Sequence, residues 1–332
     1  MQAPNGEDHR FCRDILPRVS RTFAINMRLM GGSLGDSVRT AYLLCRSADA
    51  LEDSWRGDAG EIRDRFGGLV AAIDGQEAAA RQLASRAARS AAGRPDLELV
   101  AHLPEVLRVF GALPALDREA IAECLRVMCF GMSRFAARAA ERPPASAYLD
   151  TEGELRAYCY AVAGCVGVML TRLFAGRAPA KDPPAEARRL ALAPVVGEAL
   201  QLTNILLDWP VDIRRGRCFV PAAWLAEHGL APGDLVGRDD PGVRALSARL
   251  ESWARESLAR VPEYLTLIPP TAVRIRLFCL WPAVWAAGSL AHARRDPEFP
   301  WGTRRPRLPR AELWRRAIGC MFVRPEAALR EA

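Results

Sequence analysis

Apolar residues recur three and four positions apart along almost the whole of this 332-residue chain, and that spacing commits it to helices. Val38, Ala41, Tyr42, Leu44, Cys45, Ala48 and Leu51 form one stripe, and Leu103, Val106, Leu107 and Phe110 a second. Ile121, Leu125, Met128 and Met132 form a third, and Leu246, Leu250, Trp253, Leu258 and Val261 a fourth. No run of alternating β-branched residues lies between turn signals, so no sheet is expected. Short breaks such as Gly31-Gly32, Pro143-Pro144, Pro183-Pro184 and Pro269-Pro270 separate the helices, and most are too short for a domain linker. The expectation is one all-α domain over residues 1–332, with a Pro- and Arg-rich tail, 297–332, wrapping the surface.

Half of the residues are apolar and 26% are charged, which excludes a disordered chain. The net charge is +7, but acidic residues are interleaved with the basic ones. Nucleic-acid binding would need the basic residues gathered on one face, so no nucleic-acid partner is expected. Lys181 is the only lysine, and the arginines carry forked donors suited to phosphate oxygens. Nine cysteines, an odd number with no C-x-x-C pair, support neither a zinc site nor a disulfide framework. They read as small buried hydrophobes in a reducing cytoplasm. The N-terminus lacks the apolar core of a signal peptide. The most apolar stretch, 277–290, is broken by Pro282 and falls short of the roughly 20 residues that span a bilayer. Membrane contact, if any, is expected to be peripheral, on the inner face.

Two groups of polar residues interrupt the apolar pattern. In the first, Arg46, Asp49, Glu52 and Asp53 follow one another at helical spacing, with Asp49 and Asp53 on one face. Like charges four apart repel, so a cation is needed there. Mg²⁺ meets that need because it takes oxygen ligands and commonly binds one or two carboxylates together with substrate phosphate. A solvated acidic patch is the alternative reading. In the second, Gln201, Asn204, Asp208 and Asp212 are spaced three, four and four apart, among Leu200, Leu202, Ile205, Leu206 and Leu207. Burying such a face without partners is costly, so it is either a ligand site, a buried polar network or a subunit interface. Pro210 lies within this run and is expected to kink or break the helix near Trp209. Arg214, Arg215 and Arg217 follow. Carboxylates beside arginines are what a Mg²⁺–diphosphate group requires, and the two acidic faces are expected to wall one pocket.

Several motifs, in order, give the chain a resemblance to the squalene and phytoene synthase superfamily. Val19-Ser20-Arg21-Thr22-Phe23-Ala24 resembles its first segment, and residues 42–53 its first aspartate-rich motif. Ala157-Tyr158-Cys159-Tyr160-Ala161-Val162-Ala163-Gly164-Cys165-Val166-Gly167 is similar to its Y-C-x-x-V-A-G-x-V-G motif, and residues 201–221 to its second aspartate-rich motif. Phe278-Cys279-Leu280-Trp281-Pro282 resembles a segment of the squalene synthase branch that lies near its NADPH site; ordinary core packing is the other reading of that segment.

The resemblance implies an isoprenoid synthase helical bundle with a central apolar cavity. It implies head-to-head condensation of two farnesyl diphosphates through presqualene diphosphate, then reduction by NADPH to squalene. Metal ligands would be Asp49, Glu52, Asp53, Asn204, Asp208 and Asp212. Ser20, Arg21, Phe23, Gln201, Asn204 and Arg217 would bind substrate, with Arg46 on phosphate. Tyr158 would handle the proton lost on cyclopropane closure, facing the cavity while Tyr160 does not. Phe278, Cys279 and Pro282 would contact the nicotinamide cofactor. Two positions depart from the pattern: Leu207 stands where many relatives carry Arg, and Val211 where many carry Glu. These departures keep open phytoene or dehydrosqualene synthase, one component of a split presqualene diphosphate/hydroxysqualene system, and a catalytically silent assembly protein.

Overall fold

The computed structural model describes residues 3–20, 22–55, 57–143, 145–321 and 329. Among these residues there is no strand, and the single β-type pairing is an isolated bridge between Ala147 and Cys218. The all-helical architecture read from the periodicity is therefore the architecture observed. Where one domain was expected, the chain forms two compact units, Met1–Glu141 with Val168–Ala178, and Arg142–Gly167 with Pro179–Ala332.

The first unit is built around the helix Gly32–Asp53, which packs against Leu103–Gly111 and Ala115–Glu141. Val38, Ala41, Leu44, Cys45, Ala48 and Leu51 are buried, as are Leu103, Val106, Leu107, Ile121, Leu125, Met128 and Met132. Three of the four predicted stripes thus meet as one core. Tyr42 is the exception: it sits only half-buried, on a different face. A buried ion pair ties the unit together. Both Asp117 carboxylate oxygens accept from Arg177 at 2.7 Å, and the Ser37 hydroxyl donates to the same group at 2.5 Å.

The second unit is organised by the helix Pro183–Arg214, which packs against Pro241–Leu258, Val273–Ala293 and the π-helical turn Tyr160–Gly164. Contact with the turn is backbone-close. A Cβ on Gly167 would lie 2.2 Å from the Ala193 carbonyl oxygen, and one on Gly197 2.3 Å from that of Ala163. Of the kink or break expected at Pro210, the break does not occur: the helix continues to Arg214. Proline removes one backbone bond, but Trp209 and Pro210 are buried, and the Trp209 indole donates to the Leu235 carbonyl at 2.9 Å. Tertiary packing holds the turn that proline weakens.

Residues 277–290 are mostly core: Phe278, Leu280, Trp281, Val284, Trp285 and Leu290 are buried. This stretch therefore offers little apolar surface to lipid. Two other helical stretches, Glu152–Ala175 and Pro183–Arg214, are long and apolar enough to cross a membrane by length and composition, contrary to the expectation that none is. Half of each apolar window is buried inside the protein. The tail folds back within the second unit, where the Trp301 carbonyl accepts from the Gly237 amide at 2.7 Å and Arg244 lies over the Trp301 ring.

Candidate active site

Over its last three turns the helix Gly32–Asp53 has one open stripe. Tyr42, Arg46, Asp49 and Asp53 are its accessible positions, spaced four, three and four apart, while Leu43, Leu44, Ala48, Ala50 and Leu51 are buried between them. Ser20 hydrogen-bonds to the Tyr42 hydroxyl, and the Phe23 ring stacks on Tyr42 at 5.8 Å. Burial pushes the Tyr42 phenol up to about 12, against the opposing pull of Ser20 and Arg46. Thus Ser20, Phe23, Arg46, Asp49 and Asp53 are brought together as the sequence suggested. Arg21 lies outside the described residues. Glu52 is not part of the stripe. Its side chain is turned into the packed side of the helix and is only 8% exposed, because it is roughly 80° around the axis from Tyr42.

Asp49 keeps 34% of its side-chain surface accessible, yet so much protein surrounds it that burial pushes its carboxyl up to about 6. The Arg46 guanidinium opposes that rise and the charge of Asp53 adds to it. Arg46 is held at two points, 3.4 Å from Asp49 and 3.0 Å from Asp96. Ser54, which caps the helix, donates to the same Asp96 oxygen at 3.3 Å. Asp96 was missed in the sequence because it belongs to no motif and reaches this stripe only through the fold.

In the second unit, Gln201, Asn204 and Asp208 are the accessible positions of residues 201–210, where Leu202, Thr203, Ile205, Leu206, Leu207 and Trp209 are buried, and Asp212 is accessible in the last turn with Val211 and Ile213. The predicted polar face is therefore real and open. The helix ends in a Schellman turn. Gly216 takes φ +76°, its amide donates to the Ile213 carbonyl, and the Arg217 amide donates to the Asp212 carbonyl at 2.8 Å. This reversal returns Arg217 to Asp212, and the two line one small cavity with Trp209 and Phe219. Leu207 is buried at 3% exposure, so no cation arises at that position. Instead Arg305, from the tail, places its Nε 2.8 Å from Asp208 Oδ1. Arg214 fixes the tail beside it by donating to the Thr303 carbonyl.

Tyr158 is buried at 5% exposure, its ring stacked on Phe219 at 4.9 Å and edge-on to Tyr148 at 6.0 Å. Tyr160, two residues on, opens the π turn and is 45% exposed. The two tyrosines point to different environments. Phe278 is buried, while Cys279 and Pro282 are half-buried. Burial raises the Cys279 thiol to about 12, against a hydrogen bond from Tyr264. The neighbouring guanidinium, Arg276, is committed to the carbonyls of Leu265 and Ile268 at 2.5 and 2.9 Å. This segment is itself apolar, and the phosphate clamp a dinucleotide needs would fall to Arg274, exposed one turn before Phe278.

The aspartate pairs do fit Mg²⁺. Among the described residues no three His, Cys, Asp or Glu side chains gather closely enough to cage an ion. A pair of hard carboxylates at i, i+4 suits a cation that keeps waters and completes its shell with substrate phosphate. Arg46 lies 3.4 Å from Asp49, and Arg217 lines a small cavity with Asp212.

Comparison with known proteins gives a consistent picture. The family described as squalene/phytoene synthase matches residues 16–312. "Squalene synthase BSS" of Botryococcus braunii is 29% identical over 302 residues, covering 87% of this chain but 59% of that protein. The chain thus spans less than two thirds of that relative's length. "Phytoene synthase" of Thermus thermophilus is 46% identical over 108 residues, 32% of this chain and 34% of the relative. The solved structure described as "The complex structure of TcSQS with ligand, E5700" superposes with a TM-score of 0.72 at 24% identity, over 98% of this chain and 90% of that one.

Proposed function

Since the chain belongs to the squalene/phytoene synthase family, we propose that it joins two molecules of farnesyl diphosphate head to head through presqualene diphosphate, with squalene as the product when NADPH is supplied. The observation that carries this reading is the pair of open aspartate stripes, Asp49/Asp53 and Asp208/Asp212, each on a helix otherwise apolar and each with an arginine alongside.

In this reading Asp49 and Asp53, and Asp208 and Asp212 with Asn204, hold Mg²⁺. Bound there, the ion neutralises the leaving diphosphate. Arg46 and Arg217 take phosphate oxygens, and Ser20, Phe23 and Gln201 border the substrate. When the carbon–oxygen bond of one farnesyl diphosphate breaks, the allylic cation is captured by the double bond of the second. Closing the cyclopropane releases a proton, which Tyr158 Oη accepts and passes to a diphosphate oxygen. A free phenol is a poor base near neutrality, but a carbocation is acid enough to be deprotonated by it. Ile205, Trp209 and Phe219, which line the small cavity of Asp212, keep water away, and with it quenching to an alcohol.

A second reading, in which the product leaves unreduced as presqualene diphosphate, dehydrosqualene or phytoene, is favoured by one observation: the commitment of Arg276 beside Phe278–Pro282. Incubation with farnesyl or geranylgeranyl diphosphate and Mg²⁺, with and without NADPH, followed by identification of the product, separates the two. Absence of any diphosphate release from farnesyl or geranylgeranyl diphosphate would leave the silent assembly protein.

A hydrocarbon product also calls for a cytoplasmic protein with peripheral contact at the inner membrane face. Exposed Trp314, Ile318 and Met321, one stripe on and just beyond the helix Arg310–Gly319, lie beside exposed Arg310 and Arg315 and support that contact. Sedimentation with anionic but not neutral vesicles, reversed by high salt, is expected; resistance to carbonate extraction would refute it.

A further inference from the structure

Arg46 makes a choice that its own hydrogen bonding does not explain. A guanidinium beside an aspartate ordinarily closes on it with two parallel bonds. Here only one nitrogen approaches Asp49, at 3.4 Å, and the Nε is buried without an acceptor. The shorter contact, 3.0 Å, goes to Asp96, fifty residues away in sequence. Asp96 lies in the first turn of the helix Pro95–Ala101 and is itself fixed by the Ser54 hydroxyl at 3.3 Å. It therefore grips the end of the Asp49/Asp53 helix at two places, Arg46 and the capping Ser54. The side chains of Arg46 and Asp96 are 23% and 25% exposed, so the contact is screened from bulk water but open on one side.

We propose that Asp96 is a positioning residue that draws Arg46 away from Asp49, leaving the Asp49 carboxylate free for a divalent cation and the guanidinium turned toward a diphosphate. Without Asp96, the same guanidinium would close on Asp49 in the two-bond geometry and occupy the oxygens that a cation needs. Asp96 acts through Arg46 and touches neither metal nor substrate. The inference rests on the reading of Asp49 as a cation ligand.

Three variants test it: Asp96→Asn, Asp96→Glu and Ser54→Ala. Isothermal calorimetry with MgCl₂ and inorganic pyrophosphate reads binding without turnover. Mg²⁺ titration of farnesyl diphosphate consumption reads the half-saturating Mg²⁺ and kcat separately. For Asp96→Asn, Mg²⁺-dependent pyrophosphate binding is expected to weaken about tenfold, the effect of losing one charge-assisted hydrogen bond. The half-saturating Mg²⁺ should rise in parallel, with kcat at saturating Mg²⁺ little changed. Asp96→Glu should restore most of the loss, and Ser54→Ala, which removes a single donor, should shift binding in the same direction by less. A lowered melting temperature with unchanged pyrophosphate binding in both Asp96→Asn and Ser54→Ala would make Asp96 a mere staple and overturn the proposal. If the wild-type protein consumes no farnesyl diphosphate but binds Mg²⁺ and pyrophosphate, the functional reading fails while the calorimetry still decides the role of Asp96. If the wild-type protein shows no Mg²⁺-dependent pyrophosphate binding, the proposal fails with its premise.

Discussion

Arg305 and Asp208 meet as an ion pair, Nε to Oδ1 at 2.8 Å, although 97 residues of sequence separate 208 from 305. The relationship answers a gap in the sequence. The resemblance leads to an expectation of arginine beside Asp208, but Leu207 is apolar and buried there, and the cation comes from the tail instead.

Arg305→Gln should therefore weaken substrate binding, raising KM for the prenyl diphosphate about tenfold, in line with loss of one charge-assisted contact. Steady-state kinetics at saturating Mg²⁺ check this. Moving the cation back by Leu207→Arg should not rescue the loss. It would place a charge in the core at a cost of several kcal/mol, visible as a lowered melting temperature. An unchanged KM in Arg305→Gln would show that the pair only anchors the tail.

Asp49→Asn and Asp208→Asn each remove a charged oxygen ligand from an accessible position, so the fold should persist while turnover is abolished. Circular dichroism and diphosphate release are the measurements. Near-normal rates in either variant at low Mg²⁺ would remove that carboxylate from the metal site.

Tyr158→Phe keeps the ring that stacks on Phe219 and removes only the hydroxyl. Presqualene diphosphate formation should fall by about 10²–10⁴, the usual contribution of a positioned acid or base, with the melting temperature nearly unchanged. A destabilised variant that forms presqualene diphosphate normally would make the hydroxyl structural.

Stability should fall in acid through Asp117. Burial pushes its carboxyl up, but hydrogen bonds from Arg177 and Ser37 outweigh that and hold it below the usual carboxylate range. A carboxyl whose folded value is depressed stabilises the fold above its unfolded value, near 4, and that contribution is lost as pH falls toward the folded value. Asp117→Asn should cost about 3 kcal/mol at pH 7 by leaving Arg177 unpaired, and much less of a difference should remain near pH 2. Parallel pH–stability curves for the two proteins would contradict this assignment.

The stripes that make the helices were legible in the sequence because burial on one helical face leaves a direct periodic trace. So was the accessible face formed by Gln201, Asn204, Asp208 and Asp212. Tyr42 and Glu52 show where the reading fails. An amphipathic tyrosine was counted with the apolar stripe but belongs to the open one, while a glutamate was counted as a ligand but is turned into the packed side. Residue type alone decides neither. Pro210 left a kink and a break equally open, and it is packing around Trp209 that carries the helix past it unbroken. Asp96 and Arg305 left no local signal at all. Each acts on a motif more than forty residues away, through a contact made only when the chain is folded.

Gly167 and Gly197 each leave room for a carbonyl of the opposing segment, at Ala193 and Ala163. Because the close approach is made in both directions, the two segments interlock like the teeth of a key, and a slip along the axis by one turn, about 5.4 Å, would drive a side chain into backbone. Tyr158 and Asp208 lie on the two interlocked segments. Their axial alignment is consequently written into peptide backbone rather than into the side chains around them.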